Sequence, residues 1–280
     1  MIGNNKRYTF TDIAVSIALF FVVIMIILPL LWMFSTSLRP AKESFKLPPS
    51  FFPKAPFLWG NYASVFTELP FLRNIINSSI VAGFAVSGQL LISSMAAFAI
   101  TRIKFKGSEI VFIVILAGLM IPAQVTIIPL FIVMRELQLL DTLSALILPG
   151  LVYPLGVFLM RQHSLTIPMQ YDEAAAIDGL NRFKTYFYII LPMMKSALLV
   201  TAVMHLLLVW NDFFRPLILI NSVENMTLPL GLFQLKGMMD NGNMSIILAG
   251  VIVSIIPPLA FYGFGQKYIA MGLESGGIKG

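Results

Sequence analysis

Long apolar runs alternate with short polar segments along the whole chain. Most runs have about 20 residues, the length an α-helix needs to cross the hydrocarbon core of a bilayer. The first run is too long for a signal-peptide core, which has only about 7–15 apolar residues. The pattern predicts one all-α integral membrane domain over residues 1–280. Its six spans are expected at residues 13–34, 75–100, 110–134, 143–160, 197–219 and 244–264.

The polar segments between the runs differ in character. Residues 35–74 are rich in proline and predict an extended external loop with one short helix near Asn61 to Phe66. Residues 221–243 predict a second external loop, and residues 161–196 predict a large cytoplasmic one. The chain ends in a glycine-rich tail, which we expect on the cytoplasmic side.

The distribution of basic residues predicts the orientation. Arg102, Lys104 and Lys106 crowd one tight loop, which is a strong positive-inside signal. With that loop inside, eleven lysines and arginines lie on the cytoplasmic side and eight on the other. Five of the eight belong to the long first loop, and long loops carry less weight in this rule. Both termini are therefore expected in the cytoplasm.

Composition supports a membrane protein and excludes several other classes. The sequence is 58% hydrophobic and 11% charged, against about 25% charged residues in a soluble domain, and its mean hydropathy is +0.87. The net charge of +6 does not indicate nucleic acid, because the basic residues lie in short loops beside the lipid bilayer. The chain has no cysteine and no Walker A, HExxH or GxSxG motif. We therefore expect no catalytic site, no metal site and no bound cofactor.

Small residues recur every four positions in the second predicted span. Ser79, Gly83 and Ser87 would form one stripe along the helix and allow another helix to approach closely. Packing within the chain is the simplest explanation of such a stripe, and we expect the stripe to be buried.

The segment from Tyr171 to Pro192 is the longest polar interruption in the second half of the chain. It predicts two short helices joined at Gly179, which lies where a left-handed helix cap would fall. Asp172 and Glu173 place negative charge in the first helical turn, where the helix dipole favours it. A compact cytoplasmic helix in a membrane protein without an energy source of its own suggests a docking surface for another subunit.

Four polar residues in and near the fifth predicted span are candidates for a pathway or gate. His205 lies inside the span, where it either serves transport or makes an interhelical hydrogen bond. Asp212 and Arg215 are three residues apart and would share a helix face, next to Asn211. Structural pairing and lining of a substrate path are both open for Asp212 and Arg215.

Several motifs resemble those of a known family. They are E-A-A-A-I-D-G-L (Glu173 to Leu180), I-L-P (Ile190 to Pro192), N-S-S-I (Asn77 to Ile80), A-A-F-A-I-T-R-I-K-F-K-G (Ala96 to Gly107), I-P-A-Q-V-T-I-I-P (Ile121 to Pro129), W-N-D-F-F-R-P (Trp210 to Pro216), T-L-P-L-G-L (Thr227 to Leu232) and the terminal G-G-I-K-G. The chain from Ile13 onward resembles the maltose-type carbohydrate permeases of binding-protein-dependent ABC importers, specifically the shorter partner permease. One departure is Ser196, which replaces a second proline that often follows the Leu-Pro pair.

The resemblance implies the type I ABC importer permease fold and roles for named residues. The EAA loop would couple to a cytoplasmic ATPase through Glu173, Ala174, Ala175, Asp178 and Gly179. The tail would contact the ATPase through Gly276, Gly277, Lys279 and Gly280. The loop at 221–243 would contact the binding protein through Lys236, Asp240 and Asn241.

The resemblance also implies the partners and the location. They are a second homologous permease, two ABC ATPase subunits that use ATP and Mg²⁺, and an extracytoplasmic sugar-binding protein, in a bacterial or archaeal cytoplasmic membrane. Import of another small solute, such as a polyamine or phosphate, is an alternative. An ion-coupled secondary transporter is a further alternative, but it would need buried acidic residues, and the spans offer only Asp212.

Overall fold

The computed structural model of the protein describes residues 10–44, 52, 55–68, 70–103, 105–238 and 243–276, with side chains except at 10, 238, 264–265 and 267–276. The described residues form helices and no strand. The α-helices are α1 (Phe10–Ser37), α2 (Gly60–Glu68), α3 (Phe71–Arg102), α4 (Ser108–Ala117), α5 (Ile127–Glu136), α6 (Ser144–Gly150), α7 (Pro154–Thr166), α8 (Gln170–Ile177), α9 (Arg182–Thr185), α10 (Leu191–Met193), α11 (Lys195–Trp210), α12 (Phe214–Leu219), α13 (Leu228–Met238) and α14 (Met244–Gly276). Short 3₁₀ segments lie at Ala41–Glu43, Gly118–Met120 and Val223–Asn225, and a π-helical segment lies at Tyr186–Ile190.

Several helices are long and apolar enough to cross a membrane. Among the described residues, four helical stretches meet this criterion, namely Thr11–Ser37, Phe71–Arg102, Ser144–Thr166 and Met244–Gly263. A fifth arises if the pair Arg182–Met193 and Lys195–Trp210, bent by 75°, counts as one span. Ser108–Met120 is a shorter apolar helix. The all-α prediction is thus confirmed for the described residues.

Three of the predicted spans are interrupted in the structure. The helix ends at Met120, Gly150 and Trp210 and resumes at Ile127, Pro154 and Phe214, respectively. Each break has a local cause, because Pro122 and Pro154 lack the amide hydrogen a helix needs. At the third break, Asn211 bonds its side chain to the carbonyl of Leu207 at 2.7 Å. The first segment predicted as an external loop contains α2, which confirms the short helix expected near Asn61 to Phe66, and the second contains α13, which was not predicted.

The chain divides into two compact units. The first contains the described residues before 70 together with Gln234–Ser254. Within it, the Asn61 amide donates to the carbonyl oxygens of Ser37 at 2.8 Å and Arg39 at 3.0 Å. The Ser44 and Ser245 hydroxyls are 2.7 Å apart. Buried polar groups need hydrogen-bond partners within the protein. These bonds satisfy that need, and they hold α2 and the segment after α1 in place.

The second unit contains Pro70–Phe233 together with the described residues after 254. Its central element is α3, which packs against α6, α7 and α11. One buried apolar cluster joins α3 and α7 to the segment before α11, through Ala97, Phe98, Met160, Ile167, Tyr186, Ile190 and Met194. The end of the predicted cytoplasmic segment at 161–196 is therefore held to α3 and α7 by a buried hydrophobic cluster.

The small-residue stripe of α3 is not buried in the chain. Ser79, Gly83 and Ser87 are exposed, and a Cβ on Gly83 would meet nothing within 4 Å. The expectation that the stripe packs inside the chain is therefore wrong. Close approach occurs on another face of α3, where a Cβ on Gly156 of α7 would lie 3.0 Å from the Ser93 hydroxyl and would overlap the Gln89 amide.

Candidate functional site

Helix α8 carries the acidic and alanine-rich motif. Asp172 and Glu173 occupy its first turn, as predicted, where the positive end of the helix dipole stabilises carboxylates. Three alanines follow, and alanine is the strongest helix former. The sequence therefore favours a short helix at this position even though little of it is buried.

A Schellman motif ends α8 at Gly179. The Leu180 amide donates to the carbonyl of Ala175 at 2.9 Å, and the Gly179 amide donates to that of Ala176 at 3.1 Å. Gly179 has φ +77°, the left-handed conformation that a side chain disfavours. The predicted glycine cap is confirmed, and it turns the chain sharply after the motif.

The side chains of this motif point in different directions. Glu173, Ala174, Asp178 and Gly179 are exposed, so all four are available to a partner. Ala175 is only 1% exposed and faces the body of the chain. The outer surface of the motif is thus formed by its acidic residues, Ala174 and the glycine turn. Ile177, 87% exposed, adds an apolar tip to the same surface.

Arg102, the last residue of α3, anchors α8 to the rest of the chain. Its Nη1 atom donates to the Asp172 carboxylate at 2.7 Å and lies 3.0 Å from the sulfur of Met169. Its Nη2 atom donates to the carbonyl oxygens of Ser164 at 2.6 Å and Ile167 at 2.7 Å. The Arg102 side chain is 3% exposed and that of Asp172 18%. One guanidinium therefore joins the ends of α3 and α7 to the first turn of α8.

This role of Arg102 was missed in the sequence, where the residue counted only as a topology signal. Its partners lie 62 to 70 residues away along the chain, so no local pattern reveals them. The one available signal was its place at the end of a long apolar helix, within the quoted family motif Ala96 to Gly107.

The helical path after Gly179 continues to Met193. Asn181 caps α9 by accepting a bond from the Lys184 amide at 2.9 Å. The path then widens into the π-helical segment before Pro192, which cannot donate a backbone bond. Pro192 lies inside the last turn of this path, within α10, which ends at Met193.

An open pocket of about 370 Å³ lies between α8, α9 and the end of α3. Its charged lining residues are Arg102, Asp172, Glu173 and Arg182. Both signs of charge meet here, which favours a polar protein contact over a purely anionic or cationic ligand. The motif surface therefore consists of an exposed helix with a polar recess behind it.

The residues near the end of the fifth predicted span form a structural turn. Asp212 lies in the break between α11 and α12, not on a shared helix face with Arg215 as predicted. Its carboxylate accepts bonds from the Arg215 side chain at 2.5 Å and the Arg215 amide at 3.3 Å. Both side chains are about one-fifth exposed. Asn211 is exposed beside them.

His205 is buried between helices. It is 2% exposed, and its ring stacks on that of Tyr153 with centroids 4.5 Å apart and planes inclined by 13°. A Cβ on Gly156 would lie 2.9 Å from the Tyr153 ring and would overlap the amide of Gln89 in α3, so these residues lie close together. His205 therefore belongs to a packed seam between α3, α7 and α11 within the isolated chain.

The segment at 221–228 is held to the rest of the chain by several hydrogen bonds. Asn77 donates to the carbonyl oxygens of Glu224 and Met226 at 2.8 and 2.9 Å, and the Ser78 hydroxyl accepts a bond from the Leu228 amide at 2.8 Å. Asn77 and Ser78 belong to the N-S-S-I motif. The spacing of this motif did not predict that its side chains hold the segment at 221–228.

Asp141 holds the other side of the same segment. Its Oδ1 atom accepts bonds from the amides of Ser222 and Asn221 and from the Ser222 hydroxyl, each at 2.9 Å. The Ser222 amide is the main cause that lowers the pKa of Asp141 below its ordinary value, against a smaller opposing effect of burial. The carboxylate is therefore stabilised in its ionised form.

The remaining predicted contacts lie at the ends of α13 and α14. Lys236 is exposed in the last turn of α13, and Gly276 is the last residue of α14. Asp240, Asn241, Gly277, Lys279 and Gly280 lie outside the described residues. Within the described part of the chain, no group of three or more His, Cys, Asp or Glu residues could hold a metal ion.

Comparison with known proteins identifies the family. Residues 89–271 match the family described as "Binding-protein-dependent transport system inner membrane component". This range includes α8, its glycine cap and the Arg102 anchor. The chain belongs to this family of ABC transporter permeases, which are membrane subunits.

Two curated relatives extend the match over nearly the whole chain. The arabinooligosaccharides transport system permease protein AraQ of Halalkalibacterium halodurans is 35% identical over 262 residues, 93% of this chain and 94% of the relative. The galactooligosaccharides transport system permease protein GanQ of Bacillus subtilis is 30% identical, covering 93% of each. The resemblance to this permease family is thus confirmed.

A solved structure shares the fold. One chain of a bacterial ABC transporter involved in the import of the acidic polysaccharide alginate superimposes with a TM-score of 0.80 at 22% identity. The match covers 94% of this chain and 99% of the other. The described architecture is therefore that of an ABC importer permease.

Proposed function

We propose that this protein is a permease subunit of a binding-protein-dependent ABC importer for a carbohydrate. The observation that carries the substrate class is the agreement among its relatives. AraQ proteins of two organisms, 35% and 31% identical to this chain, and GanQ, 30% identical, are all oligosaccharide transport permeases. Their alignments cover 93–100% of this chain, so the similarity is not confined to a shared coupling motif.

Helix α8 is the proposed coupling helix. Exposed Glu173, Ala174, Asp178 and Gly179 form the surface offered to an ATPase subunit. The acidic residues would meet basic groups, and the small residues would permit close approach. Ala175 would support this surface from inside rather than touch the partner, because it is buried. The tail, Gly276, Gly277, Lys279 and Gly280, is proposed as a second ATPase contact.

The importer would contain a second homologous permease, two ATPase subunits and an extracytoplasmic binding protein. ATP and Mg²⁺ would be used by the ATPases, and closure of the ATPases would move the coupling helices and switch the pathway between its two sides. The family description itself names dependence on a binding protein. The exposed Lys236 supports a contact with that protein, for which Asp240 and Asn241 remain candidates.

The chain is proposed to cross a prokaryotic cytoplasmic membrane six times with both ends inside. The apolar stretches support this number if the helices interrupted at Met120, Gly150 and Trp210 count as broken spans. Broken helices occur at membrane depth where they face protein or a water-filled cavity. The charge distribution supports the orientation.

The candidate pathway residues now separate into two groups. The mutual bonds of Asp212 and Arg215 and the burial of His205 support structural roles for all three. Asn211 is exposed at the same break and is the best candidate to face a pathway. The proposal therefore leaves sugar selection mainly to the other subunits.

Uptake measurements test the function. The chain is co-expressed with its permease, ATPases and binding protein, and the complex is reconstituted in vesicles containing ATP. We expect uptake of a labelled oligosaccharide, such as an arabino- or galacto-oligosaccharide, that depends on ATP and on the binding protein. Uptake of polyamine or phosphate instead would support the second candidate, an ABC importer of another small solute. Uptake that persists without ATP under an ion gradient would contradict both.

A further inference from the structure

Arg102 is a buried cation at a junction of three helices. It is the last residue of α3, it binds two carbonyl oxygens at the end of α7, and it binds the carboxylate of Asp172 in α8. A buried charge is stable only when it is paired and its donors are satisfied. The planar guanidinium, with five donors in a fixed geometry, can satisfy such divergent acceptors at once.

Helix α8 has few other attachments to the chain. It has eight residues, and Ala175 is its one buried residue. Helices this short are marginal in water and take their position from contacts with the rest of the protein. The bond between Arg102 and Asp172 is therefore a main determinant of where α8 lies.

The two bonds from Arg102 to α7 do not depend on its bond to α8. The carbonyl oxygens of Ser164 and Ile167 would keep Arg102 in place if the carboxylate were lost. The Thr101 hydroxyl, 2.7 Å from that of Ser164, also joins α3 to α7 independently. Loss of the carboxylate at 172 should thus release α8 while leaving the α3–α7 junction intact.

We propose that Arg102 is a positioning residue that locks α8 to α3 through Asp172, so that displacement of α8 is passed directly to the central helix of its unit. This inference rests on the proposed role of α8 in coupling. It assigns the transmission of force to a buried ion pair, in addition to the surface that meets the ATPase. The path into the bundle then runs through α3 and not only through the chain from Gly179 to α11.

The key variant is Asp172→Asn, which removes the charge but keeps the size of the side chain. Arg102→Lys is a second variant, because an ammonium group keeps the charge but cannot reach all the acceptors of the guanidinium. The matched control is Glu109→Gln. It breaks the Arg161–Glu109 bridge, 2.6 Å long, which joins α4 to α7 without involving α8.

The first measurement is the distance between spin labels on α8 and α3 in the assembled importer. The chain has no cysteine, so Tyr171→Cys, on α8 but not among the residues offered to the ATPase, and Ile92→Cys, both at exposed positions, can be labelled specifically. We expect a narrow distance distribution in the parent and in Glu109→Gln, and a broader or shifted one in Asp172→Asn and Arg102→Lys. An unchanged distribution in Asp172→Asn would overturn the positioning role.

The second measurement is carbohydrate uptake per ATP hydrolysed, made with unlabelled chains. In Asp172→Asn we expect this ratio to fall on the order of fivefold, the lower end of typical coupling between sites. ATP hydrolysis without binding protein should persist, since the outer surface of α8 is unaltered. A broadened distance with normal uptake per ATP would overturn the transmission claim. Absence of carbohydrate uptake in the parent would contradict the proposed function, whereas the distance result would still decide whether Arg102 positions α8.

Discussion

Gly179 shows how one residue sets the geometry of the coupling motif. Its φ of +77° costs about 1–2 kcal/mol for a residue with a Cβ, although nothing lies within 4 Å to obstruct that atom. We therefore expect Gly179→Ala to strain the turn after α8 without a steric clash. Uptake and binding-protein-stimulated ATP hydrolysis should both fall several-fold, as an uptake assay and an ATPase assay would measure, while membrane insertion is unchanged.

Gly179→Asn is the matched control for this prediction. Asparagine adopts the left-handed conformation more readily than alanine. The Asn variant should therefore retain more activity than the Ala variant despite its larger side chain. Equal loss in the two variants would mean that the surface of the glycine, and not its conformation, matters at this position.

Asp141 provides a prediction with a defined pH dependence. Its pKa is lowered in the folded chain, chiefly by the Ser222 amide. The carboxylate therefore adds stability that is fully present above its unfolded pKa of about 3.9 and is lost as the pH falls through the folded value. Asp141→Asn should destabilise the chain by about 1.5–3 kcal/mol at pH 7, the range for hydrogen bonds to a charged group.

The measurement for Asp141 is thermal unfolding in detergent at several pH values, compared with the Asn variant. Asparagine tolerates the positive φ of 59° at this position, so the comparison isolates the charge. The difference between the two proteins should shrink as the pH is lowered below about 4. A difference that stays constant with pH would contradict the assignment. Faster hydrogen exchange at Asn221 and Ser222 in the variant would locate the effect.

At the scale of helices, Gly156 marks a close approach of α7 to α3. A Cβ there would lie 2.9 Å from the Tyr153 ring and would overlap the Gln89 amide. Gly156→Ala should therefore force α3 and α7 apart and destabilise the protein by about 1–3 kcal/mol, the usual cost of overpacking. Gly83→Ala on the exposed face of α3 is the control, because a Cβ there meets nothing.

Thermal unfolding of the purified chain measures this difference. We expect a lower midpoint for Gly156→Ala and an unchanged or slightly higher one for Gly83→Ala, since alanine favours helix more than glycine does. Loss of stability in Gly83→Ala alone would contradict this prediction. It would mean that the stability of the helix packing depends on the small-residue stripe of α3 and not on the α3–α7 contact.

Apolar periodicity predicted where the helices lie, whereas their breaks depend on other features of the chain. The runs at 13–34 and 75–100 fall within single helices, α1 and α3. The interruption before Ile127 involves Pro122, which was visible in the sequence, yet its effect on the path depends on packing. The break at Asn211 arises from a side chain that bonds its own helix, which composition cannot distinguish from an ordinary polar residue.

The candidate site was predictable to the extent that it is local. The glycine cap and the acidic first turn of α8 depend on residues within ten positions of one another, so the sequence contains them. The Arg102 anchor depends on three segments brought together by folding, the ends of α3 and α7 and the start of α8, and the inward direction of Ala175 depends on the same assembly. Sequence therefore indicated the surface of the motif, but not the means by which α8 is held.

For the molecule as a whole, the orientation in the membrane decides whether α8 can meet an ATPase. The absence of cysteine makes this directly testable with single-cysteine variants. Ile177 on α8 is 87% exposed and Phe52, before α2, is 85% exposed. If the termini are inside, these two positions lie on opposite sides of the membrane.

We expect a membrane-impermeant maleimide to label Phe52→Cys in spheroplasts and to leave Ile177→Cys unlabelled. Ile177→Cys should react only in opened membranes from which peripheral subunits have been stripped, and the parent chain should not react in either preparation. The physical reason is the excess of lysine and arginine in the short loops on the side of α8, which are retained in the cytoplasm. The reverse labelling pattern would place α8 outside, where no ATP is available, and would contradict the coupling function and the inferred role of Arg102 together.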